Sequence, residues 1–215
     1  MNVLFLVNPT TALTAAHCLK GTLKSPDQFK IRAGEWDRAS ELEFLPHQDR
    51  IVSQIKMHSE YYSGGLYNDI AVIKWTTPFE DAANVKPLCL PETTDTFESQ
   101  ICTVTGWGRN NKEGMNSERL KFINLPIINR QKCEQKLQSH KLGQRFKLHE
   151  SFICAGSEAG KDTCDGDGGS PLVCERKDKS FVLAGLVSWG LGCGEKVPAM
   201  YANIPNLLTW IKSNI

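Results

Sequence analysis

Short runs of apolar or alternating residues recur along the 215-residue chain, separated by glycine, proline and asparagine. Val3 to Val7 predicts a strand, Asn8-Pro9-Thr10 a turn, and Ala12 to Thr14 a second strand entering Ala15-Ala16-His17-Cys18. Phe29 to Gly34 alternates as a half-buried strand does, and Ile51-Val52 and Ile55 to Met57 continue that style. Ile70 to Ile73 is continuously apolar, as in a strand buried on both faces. Ile101 to Gly108 predicts a strand closed by glycines. Leu120 to Ile128, Pro171 to Cys174, Phe181 to Trp189 and Ala199 to Ile204 complete the set. Two helices are predicted. Asn129 to Leu137 has Asn129 as its cap, and Leu207 to Ile215 repeats apolar residues at Leu207, Leu208, Ile211 and Ile215. Many short strands with little helix point to an all-β barrel or sandwich.

Composition narrows this picture. A net charge of +1 offers no basic surface for nucleic acid or an anionic membrane, and no apolar run is long enough to cross a bilayer. Eight cysteines point to a disulfide-bonded protein of an oxidising compartment. Zinc is disfavoured: no cysteine pair has C-x-x-C spacing, and only His17-Cys18 brings the two residue types together. The other histidines, His47, His58, His140 and His149, are scattered and expected to be exposed. Met1 to Val7 is apolar but lacks a basic start and is too short for a signal peptide. It reads as an internal strand behind a methionine, so a fragment or an incomplete gene model is expected.

Three separated segments carry candidate chemistry: Thr14-Ala15-Ala16-His17-Cys18, Asn68-Asp69-Ile70-Ala71, and Asp162-Thr163-Cys164-Asp165-Gly166-Asp167-Gly168-Gly169-Ser170-Pro171. They resemble, in order, the histidine, aspartate and serine motifs of chymotrypsin-like (trypsin-like) serine proteases. Gly106-Trp107-Gly108, Pro87 to Pro91, Phe152 to Gly156 and Ser188-Trp189-Gly190 also fall where that family has them, so the resemblance spans the chain. It implies two six-stranded antiparallel β-barrels with a C-terminal helix. Residues 1–215 would form one peptidase-like domain, without the N-terminal activation segment, the first strand of the first barrel or a clip domain.

In active members a serine attacks the carbonyl, the histidine takes its proton, and the aspartate orients the imidazole. The resemblance puts His17 and Asp69 in the last two roles. The family loop reads Cys-x-Gly-Asp-Ser-Gly-Gly-Pro, and here Gly168 stands in the serine position. Glycine has no Oγ, so no acyl-enzyme can form there. Ser170 lies two residues further on, about 6–7 Å along extended chain. A base must sit within about 3 Å of the proton it takes. The amides of Gly166 and Gly168 would be the remnant of an oxyanion hole. Asp167 would ordinarily pair with an N-terminal amine released by cleavage, and without that amine it is expected to be an unpaired buried carboxylate.

The resemblance assigns substrate binding to Asp162, at the position of the carboxylate that receives Lys or Arg, and to Ser188, Trp189 and Gly190 along the pocket wall. Ala199 takes a position usually held by glycine and narrows the slot, and an ancestral, unused pocket is the expectation. The implied disulfides are Cys102–Cys174, Cys133–Cys154 and Cys164–Cys193, which leaves Cys18 and Cys89 outside the three bridges. The family partner of Cys18 falls at Asn2, and that of Cys89 in a pro-segment. Glu35, Asp37 and Glu43 lie in the loop where the family often binds Ca²⁺, although a solvated acidic loop without any cofactor is the preferred reading.

Ala33 to Asp37, Pro46 to Asp49 and Leu66 to Asp69, with the glycine replacement, look like arthropod clip-domain serine protease homologues. That resemblance implies a secreted, catalytically inactive protein acting on a proteolytic cascade, with prophenoloxidase or its activating protease as partner. The alternatives are an active endopeptidase cleaving after Lys or Arg, and a non-functional fragment.

Overall fold

The computed structural model describes residues 3–21, 24–109 and 114–215. Twelve short strands are formed among them. In the first half these are β1 (Phe5–Asn8), β2 (Thr11–Thr14), β3 (Lys30–Ala33), β4 (Gln48–Ile51), β5 (Gln54–Met57) and β6 (Ala71–Lys74). In the second half they are β7 (Ile101–Gly106), β8 (Lys121–Ile128), β9 (Phe152–Gly156), β10 (Pro171–Glu175), β11 (Phe181–Trp189) and β12 (Pro198–Asn203). The turn between β1 and β2 forms as expected, because the Asn8 side chain accepts hydrogen bonds from the Thr10 amide and hydroxyl.

The second half closes completely, in the order β10-β11-β12-β9-β8-β7, with β10 returning to pair with β7. Closure leaves no strand edge open. Its interior holds Leu125, Ala155, Leu172, Val182, Ala184 and Tyr201, each fully buried. The three implied disulfides are all present, Cys102–Cys174, Cys133–Cys154 and Cys164–Cys193. Cys18 and Cys89 join none of them.

The first half is the first barrel, expected without its first strand, and its strand ladder is open. Its strands form a four-stranded sheet, β1-β2-β6-β5, and a separate ribbon, β3-β4. Both wrap one core containing Ala12, Ile31, Val52, Ile73, Trp75 and Phe79. The physical reason lies at two edges: among the described residues β1 pairs only with β2, and β3 only with β4. A cavity of about 550 Å³, lined by residues of both β1 and β3, lies between them.

A third cluster welds the halves together. Phe5, Leu13, Ile70 and Val72 from the first pack on Leu183, Leu186, Ala202 and Ile204 from the second. The C-terminal helix α2 (Ile204–Lys212) adds Leu207 and Ile211. It begins three residues before the predicted start, because Ile204 is itself core and Pro205 suits a first helical turn. The other helix, α1 (Arg130–Leu137), forms as expected, with Asn129 accepting from the amides of Gln131 and Lys132. Among the described residues no helix is long and apolar enough to cross a membrane.

Candidate functional site

The cleft between the halves gathers side chains that are far apart in sequence. His17 rides on a 3-10 turn (Ala16–Leu19) that follows β2. Asp69 lies two residues before β6, the strand paired with β2, so the two residues meet at the end of one strand pair. The chain reaches Asp69 through Leu66 and Asn68, both in the left-handed region with φ of 55° and 53°. The Asn68 amide donates to Ser151 Oγ of the second half, and the Asn68 side chain to Glu60 O, which hold this approach.

Asp69 is fully buried and accepts three hydrogen bonds. The His17 amide donates to Oδ1 at 2.8 Å, and His17 Nδ1 and Ser188 Oγ meet Oδ2 at 2.7 and 2.6 Å. A buried carboxylate needs such donors. The opposite ring nitrogen, His17 Nε2, lies 3.4 Å from Cys18 Sγ. Burial pulls the imidazole pKa down, but the hydrogen bonds to Asp69 and Cys18 outweigh it and hold the value up at about 10. Sequence reasoning identified His17, Asp69 and Ser188 but missed the contact of Cys18 with the imidazole, which depends on the tight turn between adjacent residues.

The loop before β10 faces this pair. A Cβ placed on Gly168 would stand 2.7 Å from His17 Nε2 and 3.2 Å from Cys18 Sγ. Gly169, at φ +78°, tolerates no side chain, since a Cβ there would lie 2.3 Å from Thr14 Oγ1. Ser170 is fully buried, and its hydroxyl has no hydrogen-bond partner among the described residues. That hydroxyl lies 2.9 Å from where a Cβ on Gly106 would be, within the barrel wall. Neither the Gly166 nor the Gly168 amide has an acceptor among the described residues.

Asp167 corrects an expectation. It is not an unpaired carboxylate: Oδ1 accepts from the Gly108 amide at 2.8 Å and Oδ2 from the Cys164 amide at 3.0 Å. Gly106 and Gly108 are needed for this approach, because a Cβ on either would come within 2.5 Å of the carboxylate. Burial still pushes the Asp167 pKa up. The two amides and the charge of Lys121, whose Nζ donates to Gly108 O, oppose that.

Asp162 lies deeper in the second half. Its Oδ2 accepts from the Gly194 amide at 3.1 Å, while Oδ1 is buried without a hydrogen-bond partner among the described residues. Burial pushes its pKa up to about 6. Nearby, the Ala199 methyl lies 3.9 Å from a Cβ built on Gly190, so the two residues border the same gap. Trp189 packs edge-on against Phe146 and Phe152. With Leu66, Tyr67 and Leu142 these line an apolar hollow of about 310 Å³. The sequence does not mark Tyr67, Phe146 and Leu142 as site residues, because the stretches around them carry no strand or α-helix period; Leu142 ends a π-helical turn, Gln138–Leu142.

The acidic loop differs in membership from the expected calcium ligands. Asp37 binds Arg119 Nε at 2.9 Å, and Glu43 accepts from the amides of Trp36 and Asp37. Glu35 Oε2 is 3.1 Å from the Arg32 guanidinium. The residues that converge are Glu35, Glu43 and His47, their ligand atoms within 4.8 Å of one another. His47 is therefore not the exposed histidine expected. Nor are His58, against Trp210, and His149, stacked on Tyr67 at 4.1 Å, whereas His140 is exposed. Arg32, Arg119 and backbone amides already compensate these carboxylates.

Residues 4–211 match the family profile described as Trypsin. The chain is 41% identical to Phenoloxidase-activating factor 2 of Galleria mellonella, covering 98% of this chain and 70% of that protein. It is 40% and 36% identical to two Anopheles gambiae proteins, Inactive CLIP domain-containing serine protease A8 and A28. In both cases 98% of this chain aligns, but only 57% and 54% of the relative.

Proposed function

The chain belongs to the trypsin family, and from that premise we propose that it is a catalytically inactive serine protease homologue that works by binding other proteins. The observation that carries this is Gly168. The residue whose side chain would face His17 Nε2 has none. The imidazole and its orienting carboxylate remain, but no hydroxyl stands where the base could activate it. Ser170 does not substitute, being fully buried and turned toward Gly106. The unengaged amides of Gly166 and Gly168 are consistent with an oxyanion cradle kept without its nucleophile. The names of the relatives support the setting. One is a phenoloxidase-activating factor and two are called inactive, so a cofactor or regulator of a secreted cascade leading to prophenoloxidase activation is the role we assign.

The orphaned Oδ1 of Asp162 favours a second reading, a trypsin-like endopeptidase cleaving after Lys or Arg. That reading requires Ser170 to act as nucleophile. A fluorophosphonate probe, which labels only activated serines, separates the two. Absence of labelling beside a labelled active relative supports the binding protein, and an adduct mapped to Ser170 overturns it.

A further inference from the structure

The net charge of +1 averages over an uneven distribution. Six of the 25 basic residues and one of the 24 acidic residues fall between 130 and 147, so that segment carries +5 and the rest of the chain −4. The six are Arg130, Lys132, Lys136, Lys141, Arg145 and Lys147, and all are exposed. The fold gathers them on one face. Helix α1 buries Cys133 and Leu137, one turn apart, and Cys133 is bonded to Cys154 of the closed barrel. That fixes which side of the helix looks outward. Lys132 and Lys136 stand on it, also one turn apart, about 6 Å from each other along the axis. The π-helical turn prolongs α1 and carries Lys141. The chain then reverses at Gly143, φ 73°, and returns past Arg145 to lay Lys147 and Leu148 against Glu134.

Little of this charge is neutralised. The single acid of the segment, Glu134, pairs with Lys147 at 3.0 Å. Arg130 donates to the carbonyls of Leu148 and Phe152, Lys136 to Ser157 Oγ, and Lys141 to Leu191 O, all uncharged partners. A further cation joins from outside the segment. The Ser157 hydroxyl that receives Lys136 itself donates to Lys196 O, which sets the exposed Lys196 beside it. Of the acids adjacent in sequence to Ser157 and Lys196, Glu158 is paired with Lys161 and Glu195 lies against Gly192. Glu150 follows three residues after Lys147, beyond the segment.

We propose that this face, built on α1 and its return and flanked by Lys196, binds a sulfated polysaccharide. Uncompensated cations held on a rigid element attract a polyanion and release its condensed counterions. A folded protein partner would be held by large apolar anchors, and none of the exposed large apolar side chains lies between 123 and 180 or near Lys196. The same absence removes the stacking platform that single-stranded nucleic acid uses and the apolar wedge that a membrane surface takes. The three disulfides suit an oxidising compartment such as the extracellular space, where sulfated glycosaminoglycans are the abundant polyanions. The inference holds whether or not the cleft turns over substrate.

Heparin is the probe. A fluorescent heparin oligosaccharide is titrated with the purified chain and binding is read by polarisation. Affinity falls about 30–80-fold between about 50 and 200 mM salt, as the release of about three or four counterions requires. Lys132→Glu weakens binding about tenfold and lowers the salt slope by about one. Lys56→Glu makes the same change of net charge on β5 of the first half, and it alters affinity less than about twofold, because a charge outside the contact is screened. Footprinting needs no variant: bound heparin protects Lys132, Lys136 and Lys196 from acetylation, read by peptide mass, and leaves Lys56 reactive. Equal losses from Lys132→Glu and Lys56→Glu, or protection spread evenly over all lysines, overturn the site. Tighter binding to a charge-matched single-stranded DNA, or to phosphatidylserine vesicles, than to heparin overturns the choice of ligand.

Discussion

The two halves of the molecule handle their strand edges differently. The second half closes on itself and carries all three disulfides, whereas the first is a sheet and a ribbon facing each other across a cavity of about 550 Å³. The cleft nevertheless draws on both. His17 and Asp69 belong to the first half, Asp162, Gly168 and Ser188 to the second. The site tolerates this asymmetry because β2 and β6, whose ends His17 and Asp69 flank, are the two central strands of the four-stranded sheet. Their Leu13 and Val72 pack on the closed barrel, while the opening lies at β1 and β3. The lesson is that site geometry depends on the weld between halves more than on closure of the first.

The largest effect comes from unstapling the closed half. Cys102–Cys174 spans 72 residues, and replacing both cysteines with alanine lowers stability by about 3–5 kcal/mol. Urea unfolding checks this; a loss below about 1 kcal/mol would show that the closed half does not rely on its staples.

Core truncation sharpens the contrast. Leu172 is fully buried in the closed barrel, and Leu172→Ala costs about 3–4 kcal/mol. Ile31 is nearly as buried but borders the cavity. Atoms facing a void have already lost their partners, so Ile31→Ala costs less, about 1–2 kcal/mol. Equal losses in paired thermal melts would mean the two cores are equally well packed.

A smaller effect lies in the pocket of the closed half. Burial raises the Asp162 pKa from 3.8 to about 6. A carboxyl whose folded pKa exceeds its unfolded one penalises the native state at high pH, and the penalty is relieved as pH falls from about 6 toward 4. Asp162→Asn therefore raises stability by about 1 kcal/mol at pH 7.5, discounted for its partial exposure, and by nothing below about pH 4. The same sign predicts that benzamidine, a cationic probe, binds the wild type more tightly as pH rises through about 6. A pH-independent affinity would mean that Asp162 does not meet the cation.

Much of this was legible in the sequence, and the failures have physical causes. His17, Asp69 and the three disulfides follow from motifs in a fixed order, and Asn129 announces its cap through side-chain chemistry that acts over three residues. The strand Phe152–Gly156 was recognised as a motif but not as a strand, because a run so short has no measurable period. Asp167 was expected to be bare, yet it has two donors: the Cys164 amide three residues away, and the Gly108 amide, 59 residues away and brought close only by barrel closure. The Glu35, Glu43 and His47 cluster likewise depends on how one loop folds over. Local chemistry is readable from a sequence, whereas a partner supplied by tertiary closure is not.

The most direct probe of the weld is the titration of His17. Its pKa rises from 6.5 to about 10, since the hydrogen bonds to Asp69 and Cys18 outweigh burial. A raised histidine pKa stabilises the native state fully below about pH 6.5, and that contribution fades as pH climbs through about 10. NMR of the ring nitrogens should therefore find His17 doubly protonated at pH 7.5. Asp69→Asn removes the charge that opposes burial, and the titration then falls to the ordinary histidine range or below. Ser188→Ala reaches His17 only through Oδ2 of Asp69 and shifts the midpoint far less. A wild-type midpoint near 6.5 would mean that the first half does not hold Asp69 against the imidazole, and that the cleft is as loosely built as the edge beside β1.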